Sequence, residues 1–197
     1  LRGLPNTPFF SDPSVAVYFD DLPLGSAFTF PTGLFGFGIA AIERGPQGID
    51  YARGSEAGAI VFSSIEPGAT TGGEVRASVG NFNARTGGIE AHSARTERAD
   101  VTVSASLQER DGYIWNSTLG RRIADQRAYS GAARFRLRPT ATSEISLQLL
   151  GNQLRHGEQP LVPLGGPLFT IARDRLGQTH SDFAGGALKA TFDTSLG

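Results

Sequence analysis

"ADVTVSASLQ", residues 99–108, is the stretch whose reading decides the architecture. Ala99, Val101, Val103, Ala105 and Leu107 alternate with Asp100, Thr102, Ser104, Ser106 and Gln108. Successive side chains of an extended strand point to opposite faces, so this segment has one apolar and one wet face. The same period returns along the chain. "YSGAARFRLR" (129–138) sets Tyr129, Gly131, Ala133, Phe135 and Leu137 against Ser130, Ala132, Arg134, Arg136 and Arg138. "EISLQLLGN" (144–152) sets Ile145, Leu147 and Leu149 against Glu144, Ser146 and Gln148. "GALKATFD" (186–193) sets Gly186, Leu188, Ala190 and Phe192 against Ala187, Lys189, Thr191 and Asp193. Val75, Ala77 and Val79 of "EVRASVG" (74–80), and Ile89 and Ala91 in a weaker run over 87–93, complete six predicted strands.

Alternation alone also fits a soluble β-sandwich, so the connections and the charges have to discriminate. After a first short turn (81–86), short connections (94–98, 139–142) alternate with long ones (109–126, 154–183), which gathers the long loops at one end of the sheet. Outer-membrane barrels show that asymmetry, with tight periplasmic turns and long external loops. The polar faces also carry full charges mid-strand: Arg134, Arg136, Arg138, Glu144, Lys189 and Asp193. A dry sandwich interior does not tolerate such groups unpaired, whereas a wet lumen does. The expectation is a transmembrane β-barrel wall. The alternative from another class is a soluble β-rich binding or adhesion module.

Bulk composition narrows the rest. The chain has 197 residues and a net charge of −1, which argues against a basic nucleic-acid face. Cysteine is absent, so neither disulfides nor a cysteine zinc site is available. His92, His156 and His180 have no metal-ligand spacing, and no Ser-His-Asp order stands out; neither metal, cofactor nor enzymatic activity is expected. No run of 18 apolar residues occurs, which excludes a transmembrane helix but not transmembrane strands. With Leu1 first, no methionine and no signal peptide, the sequence is expected to be an internal piece of a longer chain.

Residues 1–70 have a different texture, with short apolar runs broken by Pro and Gly. "VAVYFD" (15–20) reads as a strand closed by a turn at Asp21-Leu22-Pro23. "GIAAIE" (38–43) reads as a strand or the end of a helix, and "GAIVFSS" (58–64) as a short buried strand. Residues 49–56 have room for about one helical turn. The expectation is a small α+β domain over 1–70 and antiparallel strands over 71–197. Asp20-Asp21 suggests a carboxylate pair, but neighbours on a strand face opposite ways, and a turn role is preferred. Arg44-Gly45-Pro46-Gln47-Gly48 suggests a phosphate cradle, yet no Gly-Lys-Ser/Thr follows.

The same residues resemble the plug of TonB-dependent outer-membrane receptors. Leu34 and Phe35, then Arg44, Gly45, Pro46, Gln47 and Gly48, then Tyr51, Arg53, Ser55, Gly58, Ala59 and Ile60 match the plug's Arg-Gly-Pro-Gln-Gly run in order and spacing. "LRGLPN" (1–6) and "VAVYFDDLPL" (15–24) are similar to the plug's Arg-Gly segment and first hairpin. "ERDGYIWN" (109–116) resembles an early external loop and "RLRPT" (136–140) a periplasmic turn. The family's charges before the Arg-Gly-Pro turn, thought to help latch plug to wall, give way here to Gly36, Gly38, Ile39, Ala40 and Ala41. Ala52 and Gly54 replace the family's Gly after the Tyr and Asn after the Arg.

The resemblance implies the late plug and first six strands of such a receptor, in the cell outer membrane among its lipid. It implies energy-coupled uptake of a ferric siderophore or similarly bulky ligand. The partner would be the inner-membrane TonB complex, acting through a segment that precedes the plug. Arg44 and Arg53 would be plug–barrel contacts, while Arg2, Phe28 and Phe30 sit in segments that resemble the ligand-facing plug apices. Trp115 and Tyr113 would belong to an interfacial aromatic girdle. A plugged lumen needs roughly 22 strands, so six form only part of a wall.

Overall fold

A computed structural model describes residues 14–24, 35, 37–46, 57–157 and 165–193. Thirteen strands occur among them, in three sheets. The first sheet holds β1 (Val15–Phe19), β2 (Leu22–Pro23), β3 (Phe37–Arg44) and β4 (Gly58–Ser64) in the order β2-β1-β4-β3. β1 and β4 run parallel, from Val15 opposite Gly58 to Phe19 opposite Phe62. Asp20, with φ 52°, turns the chain so that Leu22 pairs back onto Phe19. The segment 38–43, open between strand and helix in sequence, is therefore strand. The helical turn expected over 49–56 lies outside the described residues.

The second sheet is a six-stranded antiparallel meander in strict chain order. It runs β5 (Gly72–Gly80), β6 (Ala84–His92), β7 (Ala99–Arg110), β10 (Gln126–Thr140), β11 (Ser143–Gly157) and β13 (Gln178–Phe192). All six segments expected from alternation are strands, and they leave an open, unclosed sheet. Tight turns at 81–83 and 141–142 close two hairpins. In the first, Phe82 and Asn83 both have left-handed backbone, φ 58° and 53°, and the Ala84 N–H donates to the Asn81 carbonyl at 3.2 Å.

The sense of the alternation carries the argument. On β7, Asp100 and Thr102 are buried while Val103 and Leu107 are more than 40% exposed. On β10, Arg136 is buried at 7% while Phe135 and Leu137 are exposed. On β11, Ser146, Gln148 and Asn152 are buried while Leu147 and Leu149 are exposed. A protein that folds in water puts its apolar rows inside; this sheet puts them outside. From the row of Ala99 and Leu137 to that of Leu107 and Tyr129, the outward face spans about 27 Å along the strand. Tilted by about 45°, that length covers roughly 20 Å of depth, close to a membrane's apolar band of ~25 Å.

A charge in the middle of that band tests its environment. Leu149→Arg in the full-length chain should cost about 2–4 kcal/mol of folding stability in lipid, the depth-dependent price of a midplane arginine. The same change at an exposed position in water should be nearly neutral. Urea midpoints of the folded protein in bilayers distinguish the two, and a neutral result removes the membrane reading of this face.

The third sheet comes from segments that sequence periodicity left as loops. β8 (Ile114–Asn116), β9 (Arg121–Ile123) and β12 (Thr170–Ile171) lie in the two long connections at one end of the meander. Their order is β12-β8-β9, with β12 and β8 parallel. Ile114, Ile123, Ala124 and Ile171 form its small core, with Tyr113 and Leu176 packed alongside.

Candidate functional site

The first sheet packs against the polar, inward face of the meander, and this seam is the candidate site. Its apolar part joins Val17, Phe19 and Leu24 to Leu150 of β11. Phe37, Ile60 and Phe62 from the small sheet, and Ala132 and Phe183 from the meander, surround that cluster. Phe37 and Phe62 meet edge to face at 5.4 Å. Phe35 lies against the backbone of β6, where a Cβ added to Gly88 would fall 2.5 Å from its ring. Glycine at that position is what allows the ring to approach.

The polar part of the seam is an ion-pair ladder. Arg134, Arg136 and Arg138 occupy alternate positions on β10 and therefore project from one face. Arg134 Nη1 lies 3.1 Å from Glu66 and 3.5 Å from Asp20. Arg136 Nη1 lies 2.6 Å from the other Glu66 oxygen, and its Nε lies 2.7 Å from Asp100. Arg138 bonds the second Asp100 oxygen at 2.8 Å and Glu144 at 2.9 Å. The Ser64 N–H donates to Asp20 at 2.8 Å, and the Ser64 hydroxyl also bonds that carboxylate. Two strands along, Lys189 of β13 reaches Asp21 at 2.9 Å, while the Asp21 N–H donates to Gln148 of the intervening β11 at 3.1 Å.

Thus Asp20, Asp21 and Glu66 of the first seventy residues face Arg134, Arg136 and Lys189 of the meander. Of these, all but Arg136 line a polar cleft of about 370 Å3, together with Tyr18, Val61 and Ser63. Arg134 Nε and Arg136 Nη2 are buried without an acceptor among the described residues. Charge-assisted pairs of this kind are strong individually. Their desolvation offsets much of the gain, so a buried ladder fixes register more than it adds net stability. Water entering the cleft would compensate these charges if they were drawn apart.

The structure treats the sequence-predicted residues unevenly. Gly45, with φ 97°, is buried, and its N–H donates to the Ala57 carbonyl at 3.2 Å. Gly58, φ 140°, opens β4 opposite Arg44 at the end of β3. Arg44 and Pro46 are exposed. Gln47, Gly48, Tyr51 and Arg53 lie outside the described residues, as do Arg2, Phe28 and Phe30. The seam's acidic groups Asp20, Asp21 and Glu66 were not singled out as contacts in the sequence. Arg134, Arg136 and Arg138 were visible as charges on a strand's wet face, but a wet lumen was expected to receive them. Carboxylates receive them instead.

At the loop end, Tyr113 packs between Phe82 (6.2 Å) and Phe169 (5.8 Å), with the Arg110 guanidinium 4.6 Å over its ring. It belongs to the loop cluster, while Trp115 is exposed. Asn116 is fully buried and ties the two long connections together. Its Nδ2 donates to the Arg173 carbonyl at 2.9 Å, and its Oδ1 accepts the Thr118 and Leu119 N–H groups at 3.1 and 3.2 Å. Asn116→Ala leaves those groups unsatisfied, at about 1–3 kcal/mol. Amide hydrogen exchange should accelerate across residues 114–123 and 170–173 while the meander keeps its protection. Unchanged exchange there would show that the third sheet does not depend on Asn116.

No family model matches the chain. Solved structures do. The ferric yersiniabactin uptake receptor FyuA from Yersinia pestis aligns over 99% of this chain and 32% of its own, with a TM-score of 0.84 and 20% identity. The chain has the plug-and-barrel fold of the TonB-dependent receptors. FpvA of P. aeruginosa, solved with heterologous pyoverdines, aligns over 92% of this chain and 26% of its own, with a TM-score of 0.61 and 13% identity. The copper transporter OprC aligns over 78% and 29%, with a TM-score of 0.54 and 16% identity. This chain therefore spans about a third of FyuA's length or less of the others. The ion-pair ladder runs between the small sheet and the meander.

Proposed function

We propose that this chain is part of a TonB-dependent outer-membrane receptor that takes up a ferric siderophore or a similarly bulky solute. Residues 1–70 serve as the late plug and residues 71–197 as the first six wall strands. The supporting observation is the inverted sheet, with apolar rows outward and polar rows sealed by a charged plug. A soluble binding module has no use for exposed Leu147, Leu149 and Leu188 in registered rows.

On this reading the receptor binds and gates, and makes no bonds. Ligand captured at the loop end shifts the plug's equilibrium between seated and displaced states. Force from the inner-membrane TonB complex then parts the seam where Asp20, Asp21 and Glu66 meet the wall, and water enters the polar cleft. Arg44, Gly45, Pro46, Gln47, Gly48, Tyr51, Arg53 and Gly58 shape the plug's turn and its contacts with the wall. By their resemblance to the family's plug segments, Arg2, Phe28 and Phe30 are proposed as ligand contacts.

The test is growth of a deletion strain on a panel of ferric siderophores, haem, cobalamin and oligosaccharides, with the full-length gene restored in parallel. Loss of growth confined to one bulky solute, and recovered on complementation, is the expected outcome. Equal growth on every source would sink the uptake reading.

A further inference from the structure

One register row on the outward face, at the end bearing the long loops, is charged. Arg85 of β6 stands opposite Glu109 of β7, which stands opposite Arg127 of β10. Arg127 stands opposite Arg155 of β11. The three arginines are exposed. Two residues down each strand, Leu107 and Tyr129 begin the apolar band. The row thus lies about 7 Å along the strand beyond that band, at headgroup height.

The nearby carboxylates are shared: Glu109 stands between Arg85 and Arg127, and Asp182 attracts Arg155, but each is hydrogen-bonded to another group. Glu109 accepts the Tyr129 hydroxyl at 2.5 Å. Asp182, one row below, is held by Gln153 at 3.1 Å and His180 at 2.8 Å. Among the described residues, the side chains of Arg127 and Arg155 make neither a hydrogen bond nor a close ion pair, although Asp182 attracts Arg155 at longer range. Directly opposed residues hold their Cβ atoms about 4.5–5.5 Å apart, and like charges so placed repel. An anion shared between the two guanidiniums removes the conflict, and the planar fork matches a phosphate. Two rows into the band, Gly131 pairs with Gly151, and a Cβ on Gly151 would meet nothing within 4 Å. That leaves a shallow furrow beneath the charged row, fit for an acyl chain.

We propose that Arg127 and Arg155, flanked by Arg85, bind the phosphate of an anionic lipid in the external leaflet, its chain lying along the Gly131–Gly151 furrow. The proposal rests on the barrel reading above. The full-length chain in detergent is titrated with short-chain phosphatidylglycerol, phosphatidylcholine and inorganic phosphate, and bound lipid is counted by native mass spectrometry. Each arginine beside an anionic headgroup contributes roughly fivefold in affinity, so Arg127→Gln/Arg155→Gln should weaken phosphatidylglycerol binding on the order of 25-fold. Phosphatidylcholine binding should not change.

Phosphatidylglycerol retained equally by the double variant overturns the proposal. So does its displacement by equimolar inorganic phosphate, which would mark a bare anion site. Heat-modifiable gel mobility, read in the same samples, reports the barrel separately. Its absence removes both readings, whereas an intact barrel with unaltered lipid binding removes only this one.

Discussion

Asp100→Ala in the full-length chain should lower folding stability by about 3–5 kcal/mol, the cost of breaking a buried ion pair from one side. Asp100 is 6% exposed and bonds two guanidiniums, one with each oxygen. Removing it strands Arg136 on the wall's inward face with only Glu66, and Arg138 with Glu144. Both guanidiniums remain charged, so the damage is not relieved by a proton. The urea midpoint in detergent should fall accordingly, and less protein should reach the heat-modifiable folded form. Glu144→Gln is the control: that carboxylate is 38% exposed and meets Arg138 near solvent. It should cost about 1 kcal/mol or less. Equal effects from the two substitutions would show that burial does not set the value of these pairs.

On the proposed uptake function, a covalent bond across the seam should abolish transport. The Leu22 side chain of the plug reaches to 2.7 Å from where a Cβ on Gly185 of β13 would lie. Leu22→Cys with Gly185→Cys removes the Leu22 atoms that crowd this position and leaves two thiols facing one another, with the Phe183 ring, 3.0 Å from the new Cβ, shifting by a few tenths of an ångström. The sequence contains no other cysteine, so any disulfide within this portion joins plug to wall. Oxidised receptor should bind its solute yet fail to transport it, and a reductant should restore transport. Should transport persist with the bond demonstrably formed, the plug need not leave this part of the wall, and the displacement mechanism is wrong.

The wall was legible because its rule is local. Alternation at period two marks a strand wherever it occurs, and the six segments found that way are the six strands of the meander. The sense of the alternation was not local. Loop lengths and mid-strand charges pointed outward for the apolar rows, and exposed Phe135, Leu147 and Leu149 establish it. Leu149-Leu150 shows the limit of the method: the doublet breaks the pattern, and nothing in sequence says that Leu150 turns inward to meet Val17 and Phe19.

The seam was half legible. Three arginines on one strand face announced a polar interior, but Asp20 and Glu66 lie 114 and 68 residues from Arg134. Pairings at such separation carry no period. The third sheet was illegible for a different reason. Its strands are two or three residues long, too short to display alternation, and one buried asparagine holds them.

Spacing apolar residues at every second position has a consequence for the chain before it folds. Machinery that sorts nascent proteins at the inner membrane reads about twenty consecutive apolar residues as a stop. Here no described helix is long and apolar enough to cross a membrane, and the outward-facing apolar side chains are interleaved with serine, threonine and arginine. Such a polypeptide passes that checkpoint as if it were water-soluble. Its affinity for lipid is latent in the sequence and comes into being only when neighbouring strands align.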